Sequence, residues 1–379
     1  MTGFTVHIVA FDIPYPPNYG GAMDVFHKIR SLKNFGVKII LHCFQYNQRA
    51  QAPELEDFCF KVYYYPRNTT FTAHLSYLPY TVYSRKNELL LSRLSADNYP
   101  VIFEGLMSCF YLGHPKLKNK VKIYRESNIE HDYYMELFKA THKWSAKPFY
   151  LVEALKHRWF EKTITNATLS LVVSTNDCDQ LKRRYPGSRI EFMPSFHPHD
   201  EINTLTGLSD YALYHGNLSV AENENAAIYL SENVFSKLPC RCVVSGMNPS
   251  ARLIHVVGQY PNIELIANPA NEEMEALVKG AQINIFVTGQ ATGLKLKLLN
   301  ALYSGRHVVV NSKMLAGSGL DAFCYVANDS QAQIALCNKL MQMPFTGQMI
   351  KERRNRMSLT YSNSANAEKL IALLTSCIK

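Results

Sequence analysis

The stretch Thr288–Val310, with the sequence TGQATGLKLKLLNALYSGRHVVV, decides the fold of the second half of the chain. An apolar run precedes it, and the stretch itself contains a glycine loop, a helical pattern that begins at Gly293, a glycine stop at Gly305 and a second apolar run. This order predicts a strand, a loop, a helix and a parallel strand. The start of the helix is then expected to face the carboxyl ends of the strands, where open α/β sheets bind ligands.

The same alternation of strands and helices extends through the whole chain. In the first half, short apolar runs predict strands at Thr5–Phe11, Lys38–Phe44, Lys61–Tyr65, Val101–Glu104, Val121–Tyr124, Leu169–Val173 and Ile190–Phe192. The segment Pro194–Asp210 is rich in turn-forming residues and has no clear periodicity, so it is expected to be a linker. After it, strands are predicted at Ala212–Tyr214, Arg241–Val244, Ile263–Ile266, Ile283–Phe286, Val308–Val310 and Cys324–Val326.

Two successive alternations separated by one linker predict an α/β protein with two Rossmann-like, doubly wound domains that face each other across a cleft. The expected domains span residues 1–195 and 196–360, and a chain of 379 residues is long enough for each to bury its own core. The last segment, 361–379, contains a helical pattern at Asn363–Ile378. The sequence leaves open whether this segment packs on the second domain or crosses back to the first domain.

Composition narrows the classes of partner. No stretch approaches the roughly 18 apolar residues of a membrane-spanning helix, and the first residues lack a basic leader with a cleavage site, so we expect a cytoplasmic protein with reduced cysteines. A net charge of +9 suits nucleic acid, an anionic membrane or a phosphorylated ligand, but no nucleic-acid-binding signature accompanies it. Local basic clusters predict a surface patch that could contact the inner face of an anionic membrane. They lie at Lys116–Lys122, Lys182–Arg184 and Lys351–Arg356.

A glycine pair follows the first predicted strand. Gly20 and Gly21 open the helical pattern that continues from Ala22 to Phe35, so backbone N–H groups and the positive end of the helix dipole favour an anion there. The spacing is not GxGxxG, which disfavours a nicotinamide cofactor. The alternative is a proline-rich turn that uses glycine only for its conformational freedom.

Three strand ends of the second half carry small or amide residues. They are His215-Gly216-Asn217, Ser245-Gly246 and Asn268-Pro269, and they are expected to line one ligand crevice. The alternative is that the polar residues, Asn217 or Ser219 among them, only cap the helix that follows.

Two lysines stand at the start of the helix in the opening stretch. Lys295 and Lys297 lie in its first turn, where the helix dipole disfavours a cation unless an anion is bound nearby. This placement predicts a phosphate-containing ligand. The alternative is that both lysines are merely solvated on a surface helix.

Taken in order, these segments resemble the GT-B glycosyltransferase superfamily of bacterial polysaccharide synthesis, especially its group-1, glycogen-synthase-like family. The resemblance covers nearly the whole chain, and the order of its pieces is more specific than any one of them. The pieces are the Gly20-Gly21 loop, the segment RESNIEHDYY at Arg125–Tyr134, the strand end Val173-Ser174, the opening His215-Gly216-Asn217 and the stretch Gly293–Val310.

The resemblance implies that the second domain binds a nucleotide diphosphate sugar and the first a glycan or lipid-linked acceptor. It implies transfer with retention and no need for a metal or other cofactor. The DxD-like triplet Asp177-Cys178-Asp179 is better explained by the helix dipole, which favours acidic residues in the first turn of a helix. Catalytic roles are expected for Glu130, His131 and Lys295, and acceptor-side roles for Glu104, Arg125 and Asn128. The donor-binding residues expected are Gly20, Gly21, Gly216, Asn217, Gly246, Asn268, Gly293, Leu294, Lys295, Lys297 and Asn300.

The chain departs from the family pattern at several of these positions. The usual pair of glutamates eight positions apart is replaced by Thr292 and Asn300, and the Asn300 amide is expected to bind ribose hydroxyls instead. Ser127 stands where the family has a histidine, for which His131 is the expected substitute. Two alternatives therefore remain, a nucleotide-sugar epimerase of the same fold and a non-catalytic nucleotide-sugar-binding scaffold.

Overall fold

The structure is a computed structural model that describes residues 4–45, 49–141, 143–289 and 296–378. The chain forms two compact units. Among the described residues, unit 1 contains residues 4–198 and 360–378, and unit 2 contains residues 199–289 and 296–359. Within the described ranges, no helix combines the length and the apolar character that crossing a membrane requires.

Unit 1 is built on a parallel sheet of seven strands in the order β3-β2-β1-β4-β5-β6-β7. Its strands are β1 (Thr5–Ala10), β2 (Lys38–Gln45), β3 (Lys61–Pro66), β4 (Val101–Glu104), β5 (Lys122–Arg125), β6 (Leu169–Val172) and β7 (Ile190–Phe192). Its helices are α1 (Gly20–Asn34), α2 (Phe71–His74), α3 (Tyr80–Tyr83), α4 (Glu88–Leu94), α5 (Glu130–Ala140), α6 (Lys147–Phe160) and α7 (Thr175–Arg184). The strands β4, β5 and β6 are buried at every residue, as expected for parallel strands covered on both faces.

A buried network of charges ties α1 to the sheet of unit 1. The ammonium of Lys28 donates to both carboxylate oxygens of Glu104 at 2.8 Å, and it lies 3.6 Å from Asp24. The guanidinium of Arg125 lies 3.4 Å from Asp24 and donates to the backbone oxygen of Met193 at 2.5 Å. Because isolated buried charges are costly, these four side chains stabilise one another and fix α1 against β4 and β5.

Unit 2 is built on a parallel sheet of six strands in the order β10-β9-β8-β11-β12-β13. Its strands are β8 (Tyr211–Asn217), β9 (Arg241–Met247), β10 (Ile263–Ala267), β11 (Ile283–Phe286), β12 (His307–Val310) and β13 (Tyr325–Val326). Its helices are α8 (Ala221–Asn233), α9 (Ala251–Val257), α10 (Asn271–Gly280), α11 (Leu296–Ser304), α12 (Ser312–Leu315), α13 (Ser330–Met341) and α14 (Gly347–Thr360). The central strands β11 and β12 are buried at every residue.

A buried arginine holds the carboxyl end of α11. Arg353 of α14 is 4% exposed, and its guanidinium donates to the backbone oxygens of Leu302 at 3.0 Å, Gly305 at 2.7 Å and Arg306 at 2.6 Å. The last carbonyls of a helix have no partner within the helix, so a cation there satisfies them and also suits the helix dipole. Burial lowers the pKa of Arg353 to about 10, so it stays charged at neutral pH.

The last helix, α15 (Asn363–Ile378), belongs to unit 1. Its apolar residues Leu370 and Leu374 are buried in the same core as residues of α1. The side chain of Asn363 brackets the backbone of His197, accepting from its nitrogen at 3.2 Å and donating to its oxygen at 2.7 Å. Of the two placements that the sequence left open, the structure has the return to the first unit.

The predicted α/β fold class is confirmed. All thirteen predicted strands occur, and their ends differ from the prediction by at most three residues. The largest differences are at β8 and β9, which continue through Gly216 and Gly246, because a glycine can pair in a strand as well as end one. The helix predicted from Gly293 is described from Leu296 onward.

A buried histidine makes the stability of unit 1 depend on pH. His157 of α6 is stacked on Tyr134 with ring centroids 4.9 Å apart, and its Nε2 lies 3.2 Å from the hydroxyl of Thr81. Burial, with smaller contributions from His131 and Lys156, lowers its pKa to about 3. The folded protein therefore keeps the ring neutral where the unfolded chain protonates it, below about pH 6.5. The stability is complete above that pH and is lost as the pH falls toward 3.

We predict that His157→Gln makes the free energy of unfolding less sensitive to acid. The amide keeps a partner for Thr81 but does not titrate, so between about pH 5.5 and 4 the loss should be shallower by about 1.4 kcal/mol per pH unit. Urea unfolding at a series of pH values measures this. The same change at the exposed His255 is the control, and equal slopes for His157→Gln and the parent would contradict the assignment.

Candidate functional site

The strand order of unit 2 reverses direction at β8, and such a reversal is where open α/β sheets bind ligands. From β8 the chain proceeds outward through β9 and β10, and then returns to the other side of β8 as β11. The connections after β8 and β11 therefore leave in opposite directions, which opens a gap at the carboxyl ends of these two strands. We call this position the β8/β11 edge. It is formed by residues 215–217, residues 287–289 and the described start of α11.

Lys297 brings a positive charge to the β8/β11 edge. It is half-buried in the first turn of the described α11, and its ammonium donates to the amide oxygen of Asn223 at 3.0 Å. The same ammonium lies 5.3 Å from the ring centroid of Tyr214 and 5.6 Å from that of Phe286. Aromatic faces stabilise a cation but do not neutralise it. The arrangement therefore holds the charge in place at a helix start, where an anion is the favoured ligand.

A neutral histidine lies beside this lysine. His215 is buried and stands edge-on to Phe286, with ring centroids 5.0 Å apart. Burial and the charge of Lys297 lower its pKa to about 3, so the ring is uncharged at neutral pH. Its Nε2 is buried and has no hydrogen-bond partner among the described residues. Because a buried polar atom without a partner is costly, this atom is suited to a hydrogen bond with a ligand.

Gly216 and Asn217 form the end of β8 next to these two residues. The side-chain oxygen of Asn217 accepts from the backbone nitrogen of Ser219 at 3.1 Å and from its hydroxyl at 2.7 Å, which closes a turn. Helix α8 begins at Ala221 after Val220, and no side chain caps it. The alternative in which Asn217 or Ser219 caps this helix is therefore wrong.

Gly246 and Asn268 connect neighbouring strand ends. A Cβ atom at Gly246 would lie 1.8 Å from the backbone oxygen of Gly216, so only glycine lets β9 approach β8 this closely. The side-chain oxygen of Asn268 accepts from the backbone nitrogen of Asn248 at 2.7 Å. Both asparagines adopt positive φ angles, 52° and 51°, which asparagine tolerates better than most residues. These contacts give Gly246 and Asn268 a structural role at this edge.

Asn300 is engaged by a histidine that the sequence did not single out. Its side-chain oxygen lies 2.7 Å from Nε2 of His199, and this imidazole stacks on Tyr303 at 5.3 Å between ring centroids. His199 comes from the segment that was expected to be a linker. The amide oxygen expected to serve a ribose hydroxyl is thus already bonded within unit 2. The expected positions Gly293, Leu294 and Lys295, and also Thr292, lie outside the described residues.

In unit 1, the corresponding position is the β1/β4 edge, at the carboxyl ends of β1 and β4. Helix α1 begins at Gly20, so its first N–H groups lie near this edge, as the glycine pair predicted. A Cβ atom at Gly21 would lie 2.5 Å from the ring of Phe11. Close packing against Phe11 is therefore sufficient to explain why position 21 is a glycine. This explanation is compatible with an anion-binding helix start at the same loop. Asp12, the second residue after β1, accepts from the Tyr19 hydroxyl at 2.7 Å.

The expected acceptor-side roles of Glu104 and Arg125 need correction. Both side chains are at most 2% exposed, and both belong to the buried charge network that fixes α1. Their charges are paired with Lys28 and Asp24, so the observed function of both side chains is to fix α1 against the sheet. Asn128 is half-buried in the loop between β5 and α5.

Glu130 and His131 begin α5 and differ in their surroundings. Glu130 is 4% exposed, and burial raises the pKa of its carboxyl to about 7, although Arg85 opposes the rise. A carboxyl with such a pKa can exchange a proton at neutral pH. His131 donates through Nδ1 to the backbone oxygen of Ala154 at 2.9 Å, which ties α5 to α6. This contact gives His131 a structural function.

A second carboxyl lies near Glu130 and was missed. Glu126 follows β5 directly, and burial together with Asp177 raises its pKa well above the usual range. One of its oxygens accepts from the backbone nitrogen of Val173 at 3.4 Å, and the other has no partner among the described residues. Its position immediately after a buried strand is the signal that could have identified it.

No family model matches the chain. A protein of Klebsiella pneumoniae, described as an uncharacterized 44.6 kDa protein in the cps region, is 28% identical over 337 residues, which are 82% of this chain and 84% of that protein.

Solved structures are similar over nearly the whole chain. Sucrose-phosphate synthase of Thermosynechococcus elongatus has a TM-score of 0.72 at 13% identity and covers 99% of each chain. Anabaena HepE, solved with UDP and glucose, has a TM-score of 0.66 at 11% identity and covers 98% of this chain and 100% of its own. A trehalose 6-phosphate synthase of Burkholderia multivorans has a TM-score of 0.65 at 10% identity and covers 99% of each chain. These similarities show the fold, so the predicted GT-B fold is confirmed.

We predict that Gly246→Ala destabilises unit 2 while Gly289→Ala does not. The new methyl group at position 246 would overlap the Gly216 oxygen, which should lower the free energy of unfolding by about 3 kcal/mol. No described atom lies within 4 Å of a Cβ atom built at Gly289, so that variant should stay within about 0.5 kcal/mol of the parent. Urea unfolding measures both, and equal stability of the two variants would contradict the packing role.

Proposed function

We propose that the chain is a glycosyltransferase that takes a sugar from a nucleotide diphosphate sugar and transfers it to a glycan or lipid-linked acceptor. The observation that carries the proposal is the pair Lys297 and His215 at the β8/β11 edge. A fixed cation and an uncharged histidine with a buried, unpartnered nitrogen suit a ligand that has both phosphate and hydroxyl groups. The GT-B fold supports the proposal, because its solved examples include sugar-phosphate synthases and a protein in complex with UDP.

The donor is proposed to bind unit 2 with its diphosphate at the described start of α11. Lys297 supplies the charge there, and Lys295 and the backbone at Gly293 and Leu294 are proposed to add to it. Gly216 and Asn217, at the end of β8, are proposed to border the nucleotide. UDP is the first candidate base because HepE was solved with UDP and with UDP-glucose.

Departure of the diphosphate leaves negative charge on the leaving group. A positioned ammonium stabilises this charge electrostatically, so we propose that Lys297 assists the transfer without a divalent metal. Retention is proposed from the family resemblance. The acceptor is proposed to bind unit 1, where the Glu130 carboxyl can exchange a proton with an acceptor hydroxyl at neutral pH because of its raised pKa of about 7.

The proposed setting is bacterial surface polysaccharide synthesis in the cytoplasm. The family resemblance motivates it, and the similarity to a Klebsiella pneumoniae protein of the cps region is in keeping with it. A non-catalytic nucleotide-sugar-binding protein is the second candidate. It is favoured by Asn300, which replaces a family glutamate and has its oxygen bonded to His199.

We predict that a nucleoside diphosphate stabilises the protein through Lys297. In a thermal-shift panel of UDP, GDP, ADP, CMP and dTDP, one diphosphate should raise the melting temperature, and Lys297→Ala should weaken its binding about tenfold or more. The matched control is Lys339→Ala, an exposed lysine of the same unit, which should bind as the parent does. If none of these nucleotides raises the melting temperature, the donor-site proposal is contradicted.

The same samples separate the candidate functions. Incubation with the matching nucleotide sugar should release nucleoside diphosphate slowly even without an acceptor, because water can replace the acceptor hydroxyl. Binding without any release would identify the non-catalytic alternative. An intact nucleotide sugar with a changed sugar stereocentre would identify an epimerase.

We predict that His215→Phe weakens nucleotide binding without weakening the fold. Phenylalanine keeps the edge contact with Phe286 but removes the unpartnered nitrogen, so the melting temperature should be equal or higher while affinity falls about tenfold. His307→Phe is the control, because the Nε2 of His307 donates to the backbone oxygen of Met343 at 2.9 Å and its loss should reduce stability alone. A destabilised His215→Phe with unchanged affinity would show that this histidine is structural.

A further inference from the structure

Helix α6 of unit 1 exposes an apolar stripe. Val152, Leu155 and Trp159 are spaced to share one helix face, and they are 48%, 58% and 49% exposed. The opposite face carries polar residues into the interior, since Glu153 and His157 are buried. This is the reverse of the usual pattern, in which a surface helix turns its polar face to water. About half of the surface of each of these three side chains is left uncovered by the described residues.

A neighbouring segment extends this stripe. Leu75 and Tyr77 are 71% and 73% exposed, and the ring of Tyr77 lies edge-on to Trp159 with centroids 5.7 Å apart. The ammonium of Lys156 donates to the backbone oxygen of His74 at 3.3 Å, which attaches the segment to α6. Trp144, just before α6, is 83% exposed. We define the α6 surface by its six exposed apolar side chains: Leu75, Tyr77, Trp144, Val152, Leu155 and Trp159.

Both tryptophans of the chain lie in the α6 surface. Tryptophan combines a large apolar ring with one N–H donor, and it is enriched where apolar and aqueous phases meet, as at the headgroups of a bilayer. Two exposed tryptophans, one on α6 and one just before it, together with exposed leucines give this side of unit 1 the apolar groups that mark a docking surface.

The charges around the α6 surface are positive. Between residues 143 and 162 there are five lysines and arginines and two glutamates, and the buried Glu153 and Glu161 pair with Lys156 at 3.1 Å and Arg158 at 3.7 Å. Lys147 lies 5.2 Å from the Trp144 ring, and Lys162 lies 4.7 Å from the Trp159 ring. The segment from Asp57 to Glu88 contains no acidic residue between its ends. The apolar side chains are therefore bordered by cations, the arrangement found in proteins that lie on anionic membranes.

The basic clusters expected from the sequence do not belong to the α6 surface, and some of their residues are buried. Lys120 and Lys122 are buried, the first on Asp97 at 3.0 Å and the second on the backbone oxygen of Leu112 at 3.0 Å. In the third cluster, Arg353 is buried against α11. Other basic residues of these clusters, such as Lys116, Lys182 and Lys351, are exposed, and the lysines that border α6 form a further basic surface.

We propose that the α6 surface docks the protein on an anionic lipid bilayer, with its tryptophans and leucines at the headgroup level and its lysines on acidic headgroups. The apolar stripe supplies affinity and the lysines supply the preference for acidic lipid. This proposal does not rest on the transferase activity, because docking needs no nucleotide.

The test uses the full chain and vesicles without nucleotide. Vesicles of phosphatidylcholine mixed with phosphatidylglycerol should sediment with the protein and shift its tryptophan emission to the blue, whereas vesicles of phosphatidylcholine alone should do neither. The double variant Val152→Ser/Leu155→Ser should bind at least about tenfold more weakly. The double variant Lys147→Gln/Lys162→Gln should lose about fivefold for each lysine.

The control variant tests whether binding depends on the α6 surface itself or falls whenever exposed apolar side chains are removed. The variant Ile254→Ser/Leu359→Ser, at exposed residues of unit 2, should bind like the parent, and all variants should keep the parent melting temperature. Absence of binding to anionic vesicles, equal binding to both kinds of vesicle, or unchanged binding by both α6-surface variants would overturn the proposal. So would light scattering that shows a dimer which Val152→Ser/Leu155→Ser converts to monomer while vesicle binding persists.

Discussion

The candidate site depends on how Arg353 holds the far end of α11. Three backbone oxygens at the carboxyl end of this helix accept from one buried guanidinium, which removes the freedom of the last turn to fray. At the other end of the same helix, Lys297 lies over Tyr214 and Phe286, so contacts at both described ends tie α11 to the rest of unit 2. The buried charge network around Lys28 has the equivalent effect on α1 in unit 1.

The fold was predictable because its determinants are local. Buried parallel strands are continuous apolar runs, and turn residues separate them from helices, so a short window of sequence is enough to place each strand. The partners of polar side chains are not local. Asn300 is bonded to His199, and Arg125 to Asp24, in each case 101 residues away in sequence. The sequence could therefore predict which strand ends form an edge, but not which of their side chains are already engaged.

Glycines and lysines show the same limit of sequence-based prediction, because either residue type can serve packing within the protein or contact with a ligand or membrane. Gly246 permits a close approach between two strands, and the same residue type would permit a close approach to a phosphate. Lys122 lies in a basic cluster, yet its ammonium is buried on a backbone oxygen, whereas Lys162 stands at the surface beside a tryptophan. Only the three-dimensional surroundings separate these cases. In the sequence, Val152, Leu155 and Trp159 have the spacing of a buried helix face, and only the structure shows that Glu153 and His157 are buried instead.

The replaced glutamates change what the β8/β11 edge can do. Thr292, which lies outside the described residues, and Asn300 replace the family's two glutamates in the sequence around Lys297, and the neighbouring His215 is neutral because of its lowered pKa. The two replacements remove negative charge near Lys297, which strengthens attraction to an anionic diphosphate, whereas the neutral His215 adds no charge. Binding and turnover make different demands, since stabilising the leaving group needs the cation but orienting the sugar needs groups that accept hydrogen bonds. In unit 1, the carboxyls of Glu126 and Glu130 are buried and have raised pKa values. Their oxygens can therefore accept hydrogen bonds there without the full negative charge of two ionised carboxylates.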